Sequence, residues 1–125
     1  MNYDEFRSEF FVVLKRAMFF SEKVRREGLL ALEEILDAEK IGKRDIFEFG
    51  MHFVLDGISA ELIDKLLSNI INHEKDEFVK TLKVIQKEAL LAIQSGCNPR
   101  IFVTLLLSYT DILWDDPEID SILAD

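Results

Sequence analysis

The 125-residue chain contains few of the residues that mark secreted or membrane proteins, with one cysteine, two prolines and five glycines. A single cysteine, Cys97, cannot form an internal disulfide, which is typical of a reducing compartment. No apolar stretch approaches the roughly 20 residues that a membrane-spanning helix requires. Asp4 and Glu5 stand where a signal peptide would carry positive charge. We therefore expect a soluble cytoplasmic protein with no direct membrane insertion.

Residues that could support catalysis or hold a metal are also scarce. Neither of the two histidines belongs to a Glu-x-x-His or His-Glu-x-x-His arrangement, which zinc and di-iron sites in helical proteins use. His52 follows Glu48 by one helical turn, a spacing that predicts an ordinary surface pair. No glycine-rich loop precedes a helix in the pattern that holds phosphates. The sequence therefore predicts a protein that is not an enzyme and has no cofactor and no metal site.

The charge balance excludes another class of partner. Subtracting 24 acidic from 15 basic side chains gives a net charge of −9, and the basic residues form no tract. Such a charge repels nucleic-acid phosphates, so we expect no nucleic-acid partner. Hydrophobic residues make up 49% of the chain, enough for a single folded domain over residues 1–125.

The apolar residues follow a helical period. One face recurs at alternating steps of four and three, at Phe6, Phe10, Val13, Ala17, Phe20 and Val24. Between Tyr3 and Glu39 there is no proline and Gly28 is the only glycine, so the pattern predicts one long first helix. A polar connection follows at residues 38–45, and a short helix is predicted at Ile46–Leu55.

The second half of the chain carries clear helix boundary signals. Gly57 suits the position after a helix end, and Ser59 suits an N-cap. Gly96 and Pro99 mark a second boundary, where Asn98 is the expected N-cap of a helix over residues 100–109. Residues 60–94 form either one long helix or two helices, because the polar stretch 72–77 permits a turn. We predict an all-α bundle of about four to five helices, one or two of them long. A solvated acidic tail follows from about residue 111, in which residues 119–123 permit a last helical turn.

Two segments of the chain resemble the cytoplasmic parts of MotA, the stator family of the bacterial flagellar motor. Residues 20–34 (FSEKVRREGLLALEE) and 49–57 (FGMHFVLDG) are similar to the start of its cytoplasmic region. Residues 85–100 (IQKEALLAIQSGCNPR) are similar to the portion after its last membrane helix, with an Ile-Gln-x-Gly-x-Asn-Pro-Arg signature. In the family a pair of membrane helices separates these parts, whereas residues 72–81 join them here. The resemblance implies a stator cytoplasmic region without its transmembrane helices and without its ion path.

The resemblance also implies a partner and a set of binding residues. In the family, an Arg and a Glu eight residues apart are implicated in contact with the rotor protein FliG, and Arg25 and Glu33 match them. On one helix they would stand about 12 Å apart, with Leu29 between them. Arg26 and Arg100 complete the candidate partner-binding residues. The alternative from the residues alone is that Arg26 pairs with a glutamate one turn earlier, while Arg25 and Glu33 are solvated.

These features predict a non-enzymatic cytoplasmic protein of the flagellar motor that binds a FliG-type rotor protein or stator subunits as an adaptor or regulator. One alternative is an all-α scaffold or oligomerisation module unrelated to motility, which would use the apolar first helix for self-association. Another is a helical bundle that encloses a small apolar ligand among its ten phenylalanines. Phenylalanine that recurs at helical spacing is far more often an ordinary core residue than part of a ligand site.

Overall fold

The first helix, α1, spans Tyr3–Glu27 in a computed structural model that describes residues 1–36 and 45–124. It begins at Asn2, whose side-chain oxygen accepts the N–H of Glu5 at 2.8 Å, while Glu5 accepts the N–H of Asn2 at 3.2 Å. This reciprocal pair satisfies two amide groups that the helix itself leaves free.

The first helix is shorter than its sequence predicts. It ends where Gly28 adopts φ +85°, a conformation that costs glycine little and interrupts a right-handed helix. A 3₁₀ turn, Leu29–Ala31, and a single-turn helix, α2 (Leu32–Ile35), follow. The expectation of one helix continuing toward Glu39 is therefore wrong.

The helices between residues 46 and 107 lie close to their predicted positions, and the last helix is longer than the single turn expected at 119–123. These helices are α3 (Ile46–Leu55), α4 (Ala60–Ile71), α5 (Glu77–Ser95), α6 (Pro99–Leu107) and α7 (Pro117–Ala124). The caps at Ser59 and Asn98 are confirmed. The described residues contain no strand, so the all-α class is confirmed, but they contain seven α-helices rather than four to five. The predicted connection at 38–45 lies outside the described residues, except Asp45, which caps α3.

The polar stretch 72–77 separates two helices. Asp76 ends it by accepting the N–H groups of Phe78 and Val79 at 3.0 and 3.1 Å, which makes Asp76 the N-cap of α5. The chain therefore turns there, and α5 begins as a new helix.

The core is organised around α5, which packs against α1, α3, α4 and α6. Leu90 on α5 and Leu67 on α4 are fully buried. Gly50 lets α3 come close to both, because a Cβ at residue 50 would collide with Cδ2 of Leu90 and lie 3.0 Å from Cδ1 of Leu67. The same hydrophobic cluster includes side chains from every helix, α1 to α7.

The segment after residue 110 is anchored to α1 and is not a free acidic tail. Ile112 and Ile119 are buried in the core. A carboxylate oxygen of Asp116 lies 2.8 Å from the Arg7 guanidinium on α1. The prediction of a solvated tail is wrong because the apolar residues within this acidic segment return it to the core. No helix among residues 1–36 and 45–124 combines the length and apolar character needed to cross a membrane.

Candidate functional site

The last turn of α1 carries two of the predicted binding residues, Arg25 and Arg26, and both are exposed. Cations are favourable here because the free carbonyls of a helix C-terminus carry partial negative charge. Nη1 of Arg25 lies 3.3 Å from Glu22, and Nε of Arg26 lies 3.6 Å from the same carboxylate. The pairing of Arg26 that the alternative predicted is present, and Arg25 is exposed but contacts the same carboxylate.

Leu29 and Glu33 lie beyond the break at Gly28, on the 3₁₀ turn and on α2. Both side chains are exposed, and Glu33 has no ion pair with any described residue. The predicted arrangement of Arg25 and Glu33 on one continuous helix is wrong, because α1 ends between them. Their separation is therefore set by the turn and not by helical rise.

A lysine on α1 holds this turn in place. Nζ of Lys23 lies 2.8 Å from Glu27 and 3.2 Å from Glu34, so it links α1 to α2 across the break. The hydrogen bond to Glu27, followed by the one to Glu34, raises the pKa of Lys23 above its ordinary value. These two contacts join the last turn of α1 to α2.

Arg100 reaches the same side of the molecule from the first turn of α6. Asn98 starts α6 by accepting the N–H of Arg100 at 2.8 Å. The arginine lines a groove of about 290 Å³, which we call the α1–α6 groove. Its lining residues are Met18, Ser21, Glu22, Pro99, Arg100, Phe102, Val103, Trp114 and Leu123.

A second cavity of about 550 Å³ adjoins this groove, and Met18, Glu22 and Leu123 line both. The second cavity is also lined by Arg26. The structure therefore brings Arg26 and Arg100, which are distant in the sequence, to adjoining cavities that share Glu22 as a lining residue.

Exposed aromatic side chains lie beside these charges. Phe19 lines the second cavity, and Trp114 lines the α1–α6 groove while its indole N–H donates to Oγ1 of Thr104 at 3.0 Å. Apolar walls with aromatic and arginine side chains are typical of surfaces that bind other proteins. Among the described residues, no three His, Cys, Asp or Glu side chains are placed to hold a metal ion.

Sequence reasoning did not identify Phe19 and Trp114. Phe19 lies outside the periodic face of α1, and Trp114 is the only tryptophan, within a segment interpreted as a solvated tail. The position of Phe19 outside the helical period was the sequence feature that could have marked it as an exposed aromatic side chain. Glu48, which the sequence placed on the surface, is buried, and its Oε2 lies 2.8 Å from the Arg16 guanidinium.

Two known proteins that resemble the chain are motility proteins. Motility protein A of Treponema phagedenis is 35% identical over 81 residues, and Motility protein A of Treponema pallidum (strain Nichols) is 32% identical over 81 residues. The matches cover 64% of this chain, which spans only 30% of each relative. No family model and no solved structure matches the chain. The similarity supports a relationship to the MotA family.

Proposed function

We propose that the chain is a non-enzymatic protein of bacterial motility that acts by binding a FliG-type rotor protein or stator subunits at the cytoplasmic face of the motor. One observation supports this most strongly. Arg26 and Arg100 come from the two segments that resemble MotA, and both line the adjoining cavities beside exposed aromatic side chains. A protein partner would contact both segments at once.

The charge of this surface favours an acidic partner. Arg25 and Arg26 lie 3.3 and 3.6 Å from the Glu22 carboxylate, and Arg100 lines the same groove as Glu22. All three arginines are exposed, whereas the whole chain carries −9. A local positive patch on an acidic protein orients an approaching partner, and it affects association rate and specificity more than affinity. The pairs with Glu22 would rearrange easily, because exposed ion pairs contribute only about 0–1 kcal/mol.

Leu29 and Glu33 lie next to this patch along the chain and extend the proposed contact. Leu29 would add apolar area, and Glu33 would pair with a basic side chain of the partner. Their position depends on the Lys23 bridge to Glu27 and Glu34. A partner that meets Arg25 and Glu33 together would therefore recognise the shape of the turn as well as its charges.

The experiment measures binding of the purified chain to the purified rotor protein of the same organism by calorimetry or biolayer interferometry. Arg26→Glu and Arg100→Glu are each expected to weaken binding by about tenfold or more, because each places a like charge against an acidic partner. Glu33→Lys should weaken it as well. Circular dichroism should show an unchanged fold, since all three side chains are exposed.

A matched control distinguishes a loss of binding at this site from a loss caused by the change in net charge. Lys65 is exposed on α4 and lines neither of the two adjoining cavities, and Lys65→Glu changes the net charge by the same amount as the arginine variants. We expect Lys65→Glu to leave binding within about twofold of the unmodified chain. Equal losses for Lys65→Glu and Arg100→Glu would overturn the site, and no binding to rotor or stator protein would overturn the function.

A further inference from the structure

The face of α1 that points away from the core carries two large apolar side chains that are more than half exposed. Val12 is 59% exposed and Phe19 is 57% exposed. They are seven residues apart, so they lie two turns apart on the same side of the helix. The core residues of α1, such as Phe10 and Ala17, occupy the opposite side.

The same helix has opposite charges at its two ends. Its first turn carries Asp4 and Glu5. Its last turn carries Arg25, Arg26 and Glu27, and the Glu27 carboxylate is paired with Lys23 of the same helix. A second copy placed antiparallel would set the acidic end of each α1 against the basic end of the other, whereas a parallel copy would set like charges together. The charge pattern of α1 is thus complementary to itself in one orientation.

We propose that the outward face of α1 is a self-association surface, on which a second copy of this chain docks antiparallel. When Val12 of one copy lies opposite Phe19 of the other, residues whose numbers sum to 31 face each other. Glu5 then faces Arg26 of the second copy, with Asp4 beside it. This proposal goes beyond the proposed function and does not rest on it.

The interface is expected to be weak. It consists of one helix face on each copy, and each copy carries −9, so long-range repulsion opposes association. In this register the two copies of Lys15 approach each other at the centre, where their charges repel and their apolar stems cover the seam. We expect a dimer that dissociates at roughly micromolar to submillimolar concentration.

Sedimentation equilibrium of the full chain, from about 1 to 500 µM, tests self-association. Phe19→Glu and Val12→Glu should each raise the dissociation constant by about tenfold or more, because each puts a charge into the apolar seam. The matched control is Leu30→Glu, since Leu30 is 72% exposed and lies outside α1. A chain that stays monomeric throughout, or equal effects of Phe19→Glu and Leu30→Glu, would overturn the proposal.

Charge reversal tests the orientation. Asp4→Lys and Arg26→Glu should each weaken the dimer, and the double variant should regain most of the loss, because the pair is then reversed in both copies. Lys15→Ala should tighten the dimer by removing the central repulsion. A double variant weaker than both single variants would rule out the antiparallel arrangement. Arg26 and Phe19 belong both to this surface and to the proposed partner site, whereas Arg100 on α6 belongs to the partner site alone. Arg100→Glu should therefore leave the dimer unchanged.

Discussion

The close approach of α3 to α5 at Gly50 gives a prediction in which two destabilising changes partly cancel. Gly50→Ala adds a methyl group that collides with Leu90, and Leu90 is fully buried. Leu90→Ala alone leaves a cavity in the centre of the core. When both changes are made, the new methyl group occupies part of the space that the leucine side chain has left.

The magnitudes follow from the packing around residue 50. Overpacking at Gly50→Ala costs about 1–3 kcal/mol, and the better helix propensity of alanine returns about 1 kcal/mol. Leu90→Ala should cost about 2–5 kcal/mol. The double variant loses the collision and keeps the propensity gain, so we expect it to be about 1–3 kcal/mol more stable than the sum of the single effects.

Urea unfolding of the four proteins in this double-mutant cycle measures the coupling. A matched cycle pairs Gly50→Ala with Leu14→Ala, a fully buried leucine on α1 that is not among the nearest neighbours of a Cβ at residue 50. That control should be additive within about 0.5 kcal/mol. Additive behaviour of Gly50→Ala with Leu90→Ala would refute the inferred collision.

Two further predictions concern local anchors. Asn98→Ala should destabilise the fold by about 1 kcal/mol in urea unfolding, because it removes the N-cap of α6. Asn98→Ser keeps a capping side chain and should be nearly neutral. An equal loss of stability for both variants would contradict the capping role. The N–H of Glu118, followed by the Arg7 guanidinium, holds the pKa of Asp116 below its ordinary value. The ionised Asp116 carboxylate therefore stabilises the folded chain at pH values above the pKa of Asp in the unfolded chain, near 3.9. This stabilisation is lost as the pH falls through the lower pKa of Asp116 in the folded chain. The stability difference between the unmodified chain and Asp116→Asn should therefore shrink in acid, and a difference independent of pH would contradict it.

The helix boundaries could be predicted because they depend on local groups. Ser59 and Asn98 cap helices with their own side chains, and Gly96 adopts φ +74° after α5. Gly28 was the exception, because a glycine inside a periodic apolar pattern is compatible with a continuing helix until the neighbouring packing is known. Its break separated Arg25 from Glu33 and changed the geometry of the candidate site.

The candidate site was predictable residue by residue but not as a surface. The sequence identified Arg26 and Arg100 through a family resemblance, without indicating that their cavities adjoin. It also could not assign Trp114 to the groove, because that contact needs α6 and the following segment to fold onto α1. Such contacts join residues far apart in the chain and leave no local pattern.

The sequence by itself determined the all-α class, most helix ends and the net charge of −9, since caps, periodicity and composition act over a few residues. The helical period already indicated the buried face of α1, but only the tertiary structure decided which other apolar side chains stay exposed. Val12 and Phe19 became an exposed face because the opposite side of α1 packs on α5, and Ile119 became core because α7 returns to the bundle. The burial of a side chain depends on how all the helices pack together, so it cannot be read from any one segment of the sequence.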